Sequence, residues 1–141
     1  MKTKYLLLIT LTILLIGCVQ AKTFTPKEGT FAYKEVEKIK INKIKFTIPT
    51  EYKIKHKTPT QIQFQHNKDK LKITVTNKGH IKKVKNNPSK NITSSKTMLG
   101  SVKGYLVDKN GKYTFSYKEK GKLITIKAKD MNLIIGTMGK D

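Results

Sequence analysis

From Val36 onward, apolar side chains return at every second position, and that period marks a strand with one buried and one wet face. Ile39 and Ile41 alternate with Lys38 and Lys40. The phase then slips at Asn42-Lys43, after which Ile44, Phe46 and Ile48 carry the apolar positions to Pro49. A one-residue slip would send a whole set of side chains to the wrong face, so it requires a bulge or a tight two-residue turn. After an extended piece from Tyr52 to Lys57, Ile62 and Phe64 alternate with glutamines. Leu71, Ile73 and Val75 alternate with Lys70, Lys72, Thr74 and Thr76, and Asn67-Lys68-Asp69 supplies the turn between the two runs.

The C-terminal third carries the same pattern with stronger punctuation. Strands are expected over Gly104 to Asp108, Lys112 to Lys118 and Lys122 to Ala128. Asn110-Gly111 is a type I′ hairpin signal, and Glu119-Lys120-Gly121 is a second turn. Tyr113, Phe115 and Tyr117 share one face, as do Ile124, Ile126 and Ala128. Asp130 is placed to cap a short helix on which Met131, Ile134, Ile135 and Met138 form one apolar stripe; Gly136 weakens it by about 1 kcal/mol relative to alanine, which leaves a last strand as the alternative. Asn86 to Lys96, rich in Asn, Ser and Lys around Pro88, reads as a loop. It contains the sequon Asn91-Ile92-Thr93, which makes Asn91 a candidate glycosylation site in an exported protein. The expected fold is α+β: an antiparallel sheet of six to seven strands with a short C-terminal helix packed on one face.

The first 21 residues follow a different rule. Lys2 and Lys4 precede an apolar run from Tyr5 to Ile16, and small or polar residues follow, which is the layout of a secretory signal. The run falls short of the roughly 20 residues a permanent span needs. Leu15-Ile16-Gly17-Cys18 closes it and resembles the lipobox of bacterial-type lipoprotein signals, which some archaea also carry. The resemblance implies that Cys18 receives a thioether-linked diacylglycerol and becomes the mature N-terminus. Two acyl chains, at roughly 0.8 kcal/mol per buried methylene, give stable membrane anchoring where one would be marginal. Val19-Gln20-Ala21 offers a rival cut after Ala21 that would release a soluble protein. Either cut exports the chain. The expected organisation is a signal peptide over 1–17, a lipidated N-terminus and tether over 18–37, and a β-rich domain over 38–141. Within the body, Phe46-Thr47-Ile48-Pro49 with the later Leu71-to-Val75 strand resembles small secreted PsbP/DcrB-like lipoprotein domains. Gly104-Tyr105 and the Lys122-to-Lys129 strand resemble uncharacterised exported domains of methanogenic archaea. Both resemblances bear on fold and name no activity.

Charge bounds the partners. All 30 basic residues are lysine; setting aside Lys2 and Lys4 and subtracting the 9 acids leaves a body of formal charge +19. Such a surface attracts polyanions, but lysine lacks the planar fork that shaped phosphate or base recognition favours. An AT-rich genome would produce the same lysine, asparagine and isoleucine bias. Lysines at Lys38, Lys40, Lys43, Lys45, Lys70, Lys72, Lys118, Lys120, Lys122, Lys127 and Lys129 read first as a solvated sheet face that also blunts edge-to-edge pairing.

Catalytic motifs are thin. Ser101 in Gly100-Ser101-Val102-Lys103-Gly104 stands in the wrong place for a nucleophile elbow. Asp108, Asn110 and Glu119 match a calcium loop superficially, but Lys112 and Tyr113 occupy positions that need a ligand and a glycine. His56, His66 and His80 lack metal-ligand spacing, so no metal or cofactor is expected. Nucleic acid is disfavoured by export, and Tyr113, Phe115 and Tyr117 read as core before they read as a stacking platform. Two hypotheses remain. The first is a non-enzymatic, lipid-anchored domain of the cell envelope whose basic face meets anionic lipids or cell-wall polymers. The second is a small enzyme or accessory subunit whose site is assembled from residues such as His56, His66 and Asp69.

Overall fold

The computed structural model describes residues 35–139 and the backbone of Thr23–Phe24. Its elements in chain order are β1 (Thr23–Phe24), β2 (Val36–Ile41), β3 (Ile44–Pro49), β4 (Lys53–Lys57), β5 (Gln61–His66) and β6 (Asp69–Thr76). A 3-10 turn (Pro88–Lys90) precedes β7 (Ile92–Leu99), β8 (Val102–Lys109), β9 (Lys112–Glu119) and β10 (Lys122–Ala128), and the helix α1 (Met131–Met138) follows. One sheet runs in the order β1-β7-β8-β9-β10-β6-β5-β4. All its pairings are antiparallel except that of β1 with β7. The α+β expectation therefore holds, with seven antiparallel strands and a short terminal helix on one face.

Turn chemistry explains how so regular a ladder forms. At Asn42-Lys43 (φ 48° and 70°), Asn110-Gly111 (56° and 83°) and Lys120-Gly121 (52° and 76°), both central residues are left-handed. That is what a type I′ turn requires, and its twist matches that of the strands it joins. The phase slip at Asn42-Lys43 is thus a two-residue turn, with Ile41 opposite Ile44.

The β2–β3 hairpin does not extend the main sheet. It forms a separate ribbon that lies, together with α1, over the sheet's inner face. Ile44, Phe46 and Ile48 from this ribbon meet Phe64, Leu71, Ile73, Phe115, Ile124 and Ile126 from the sheet, and each of these nine is at most 1% exposed. Burying one such side chain contributes about 1.5–3 kcal/mol. The ribbon's turn is pinned as well: Asn42 Nδ2 donates to the Val75 carbonyl (3.2 Å) and to Asn77 Oδ1 (2.9 Å), and Lys122 Nζ donates to Asn42 Oδ1 (3.2 Å).

Helix α1 starts where expected. Asp130 accepts from the Asn132 N–H (2.9 Å), and Gly139 ends the helix at φ 62°. Leu133 and Thr137 are buried beside Ile134, Ile135 and Met138, so the apolar face is wider than the predicted stripe. Thr137 satisfies its hydroxyl on the Leu133 carbonyl (2.7 Å).

Two expectations are corrected. The loop expected over Asn86 to Lys96 gives way to β7 from Ile92, because Thr93, Ser94 and Ser95 form a strand on backbone pairing with β8 rather than on apolar side chains. The first of the last three strands also starts earlier than Gly104, at Val102. β2 begins at Val36, where the alternation starts, and the backbone of Thr23–Phe24 pairs with Met98 and Leu99.

Candidate functional site

Alternation gives the main sheet a second face, turned away from the ribbon and helix. Across it, cross-strand partners line up as Gln63, Lys72, Lys127, Thr114, Val107 and Ser94 on β5, β6, β10, β9, β8 and β7. One register step away, Lys70 lies opposite Gln65 and Lys109 lies opposite Lys112. Lys129 follows Lys127 with the same parity, just past the end of β10.

The two halves of this outer face differ. Over β7 and β8 it is covered by residues 81–86. There the Val84 N–H donates to Tyr105 Oη (3.2 Å), Tyr105 Oη donates to the Val84 carbonyl (3.1 Å), and Asn86 Oδ1 accepts from the Ser94 N–H (2.7 Å). Ser94 Oγ also donates to the Val84 carbonyl. A recess of about 490 Å³ at this end is lined by Ile81, Met98 and Tyr105 together with Lys83, Lys96 and Lys103.

At the other end, towards the β5–β6 and β8–β9 turns, the face is open. A concavity of about 630 Å³ is lined there by seven lysines: Lys68, Lys70 and Lys72 from the β5–β6 hairpin, Lys109 and Lys112 from the β8–β9 hairpin, and Lys127 and Lys129 from the end of β10. Gln63, Asn110, Tyr113, Thr114 and Ala128 complete the lining, which contains no acid. The nearest acids in sequence are engaged elsewhere, Asp130 as the cap that accepts from the Asn132 N–H at the start of α1. Asp69 shares the parity of buried Leu71, and the Asp108 carboxylate accepts from the Gly111 N–H (2.9 Å) inside its own turn. None of the seven lysines forms a side-chain hydrogen bond or ion pair among the described residues. Neighbouring strands lie about 4.8 Å apart and alternate residues about 7 Å apart along a strand, so each lysine's nearest neighbours are anchored within one Debye length, roughly 8 Å at physiological salt. Their fields therefore add.

Other predicted residues fall as follows. Leu15, Ile16, Gly17, Cys18 and Ala21 lie outside the described residues. Asn91 is exposed, left-handed (φ 54°) and immediately before β7, and its carbonyl accepts from the Asn110 N–H (2.9 Å). His56, opposite Gln63, belongs to the outer face. His66 belongs to the inner one, where it is 3.2 Å from Glu51 and packs against Tyr52 with ring centroids 5.5 Å apart. Asp69 is the cross-strand partner of His66, so the fold pairs these two and sends His56 to the opposite side. Phe115 and Tyr117 are buried and Tyr113 is half-buried against the same core, so the three do not form an exposed stacking platform. Burial, reinforced by the nearby Glu119 charge, pushes the Tyr117 phenol well above its ordinary pKa.

Lys70, Lys72, Lys127 and Lys129 are legible in the sequence as lysines of a wet face, but their assembly with Lys68, Lys109 and Lys112 depends on strand order. Among the described residues, no helix is long and apolar enough to cross a membrane, and no group of three or more His, Cys, Asp or Glu side chains is placed to hold a metal. The chain matches no protein-family profile and no curated protein.

Proposed function

We propose that the protein is an extracytoplasmic lipoprotein, anchored through a diacylglycerol on Cys18, whose domain is a non-enzymatic binder of anionic components of the cell envelope. The observation that carries this reading is the lysine concavity. Seven like charges converge on one open end of a sheet face, and the acids beside them in sequence are engaged elsewhere. A merely solvated basic face would need no such segregation. The leader supports the location, because Leu15-Ile16-Gly17-Cys18 behind an apolar run resembles the signal by which lipoproteins are exported and retained at the membrane.

Two measurements test the two halves of the proposal. The intact mass of membrane-extracted protein should correspond to a chain beginning at a lipid-bearing Cys18. A chain beginning at Lys22 in the medium would overturn the anchor. Binding to anionic vesicles or isolated wall polymer should weaken steeply with added salt, since exposed ammonium groups act through screened attraction. Salt-independent or absent binding would overturn the basic-face reading.

A further inference from the structure

We infer that the lysine concavity is a track for a linear, phosphate-bearing polymer laid across strands β6, β10, β9 and β8, and not a docking surface for a flat bilayer. This inference rests on the basic-face reading above and narrows its ligand.

Shape is the first argument. Seven lysines line a concave recess of about 630 Å³, and a chain can follow a concave surface more closely than a flat headgroup plane can. Arrangement is the second. Lys70, Lys112 and Lys109 lie on strands separated in turn by one or two interstrand steps, with Lys129 between β6 and β9. This rank extends about 15 Å perpendicular to the strands. Lys72 and Lys127 form a second rank, one register step along the strands. Two parallel ranks of cations flank a path, and a polymer with repeated anions fits a path better than a single compact anion does.

The third argument is energetic. Lys72 is paired directly opposite Lys127, and Lys109 directly opposite Lys112. Like charges opposed across antiparallel strands destabilise a sheet. An anion bridging each pair removes that repulsion, so the apo sheet is poised to gain from occupancy. Lys40 opposite Lys45 on the β2–β3 ribbon is an equivalent pair outside the recess, and it supplies the control. Side-chain chemistry completes the case. Lysines are mobile point charges without a fixed fork, suited to successive phosphates in variable positions. With Phe115 and Tyr117 buried in the core, half-buried Tyr113 is the one aromatic side chain in the lining, too little for a run of stacked bases.

The test uses the full chain held in nanodiscs of neutral phosphatidylcholine, titrated with fluorescent linear polyphosphate over a range of salt concentrations. Polyphosphate should bind, and inorganic orthophosphate at equal phosphate concentration should fail to displace it. A single-stranded oligonucleotide of equal charge should bind no more tightly than polyphosphate. In the double variant K72Q/K127Q the slope of log Kd against log salt should fall by about 1.4, at about 0.7 per charge removed. In K40Q/K45Q the slope should stay unchanged, and both variants should melt as the parent does to within a few degrees. Equal losses in the two variants, displacement by orthophosphate, or markedly tighter oligonucleotide binding would overturn the track. Binding to phosphatidylglycerol vesicles without binding to polyphosphate would overturn it too, while leaving the basic-face reading standing. Failure to bind either probe would end both.

Discussion

The inner and outer faces of the main sheet are made by the same strands, yet they answer to different forces. Ile73 and Lys72 are neighbours in sequence; one is fully buried under the β2–β3 ribbon and α1, and the other borders an open recess. On the inner face each position is constrained by its neighbours' volume, because interiors are packed at crystal-like density. On the outer face, at the lysine end, folding asks only for strand-compatible side chains that keep edges from pairing. What gathers there is therefore available for function. The contrast teaches where to look in a small, cysteine-poor domain: away from the core, where charge accumulates against its own repulsion.

The sharpest way to break this contrast is to mutate neighbours that face opposite ways. Phe115→Ala removes a fully buried ring and should cost about 3–5 kcal/mol in chemical denaturation. Thr114→Ala, one residue away in the recess, should stay within about 0.5 kcal/mol. Comparable losses would mean that the outer face also carries the fold. Gly104 comes next. A Cβ there would lie 2.5 Å from Phe115 Cζ and 2.5 Å from the Ser116 carbonyl oxygen, so Gly104→Ala should cost about 1–3 kcal/mol through overpacking. Adding Phe115→Leu should not restore stability, since the carbonyl belongs to the backbone.

Asp130→Ala, which removes the cap holding α1 to the inner face, should lower stability by about 1 kcal/mol. A smaller effect of opposite sign is expected on the outer face. The K72Q/K127Q variant loses a like-charge pair and should be a few tenths of a kcal/mol more stable at low salt, with the gain vanishing near about 1 M salt. A loss of stability at low salt would show that these lysines hold the sheet together instead of burdening it.

The last prediction concerns pH. The Tyr117 phenol has its folded pKa raised above the unfolded value, chiefly by burial. Its contribution is complete below the unfolded pKa of about 10 and declines as pH rises beyond it. In Tyr117→Phe, denaturant midpoints measured from about pH 8 to about pH 11 should fall less steeply than in the parent. Superimposable curves would remove Tyr117 from the alkaline transition.

Much of the fold was legible residue by residue. The period-two runs identified β3, β5, β6, β9 and β10, the Asn110-Gly111 and Lys120-Gly121 turns marked two hairpins, and Asp130 marked the helix start. Strand β7 escaped because Thr93, Ser94 and Ser95 show no apolar alternation; their strand character comes from pairing with Asp108, Val107 and Leu106 of β8, respectively. The separation of the β2–β3 ribbon from the sheet escaped for a related reason. Ile44, Phe46 and Ile48 alternate whether their strand extends a sheet or lies across it.

The candidate site was less legible. Lysine at alternate positions looks the same on an idle face and on a binding one, and Lys109 and Lys112 sit beside a turn where lysine is ordinary.

By itself, then, the sequence determined which residues face inward and where the chain turns, and it holds the lipobox-like stretch Leu15-Ile16-Gly17-Cys18 on which the proposed anchor rests. Only the tertiary structure decided which wet faces meet. Side-chain periodicity is a local property, set by backbone geometry within a single strand. Strand order is set by hydrogen-bond ladders between segments far apart in the chain, and it is the placing of β10 beside β6 and β9 that brings Lys127 against Lys72.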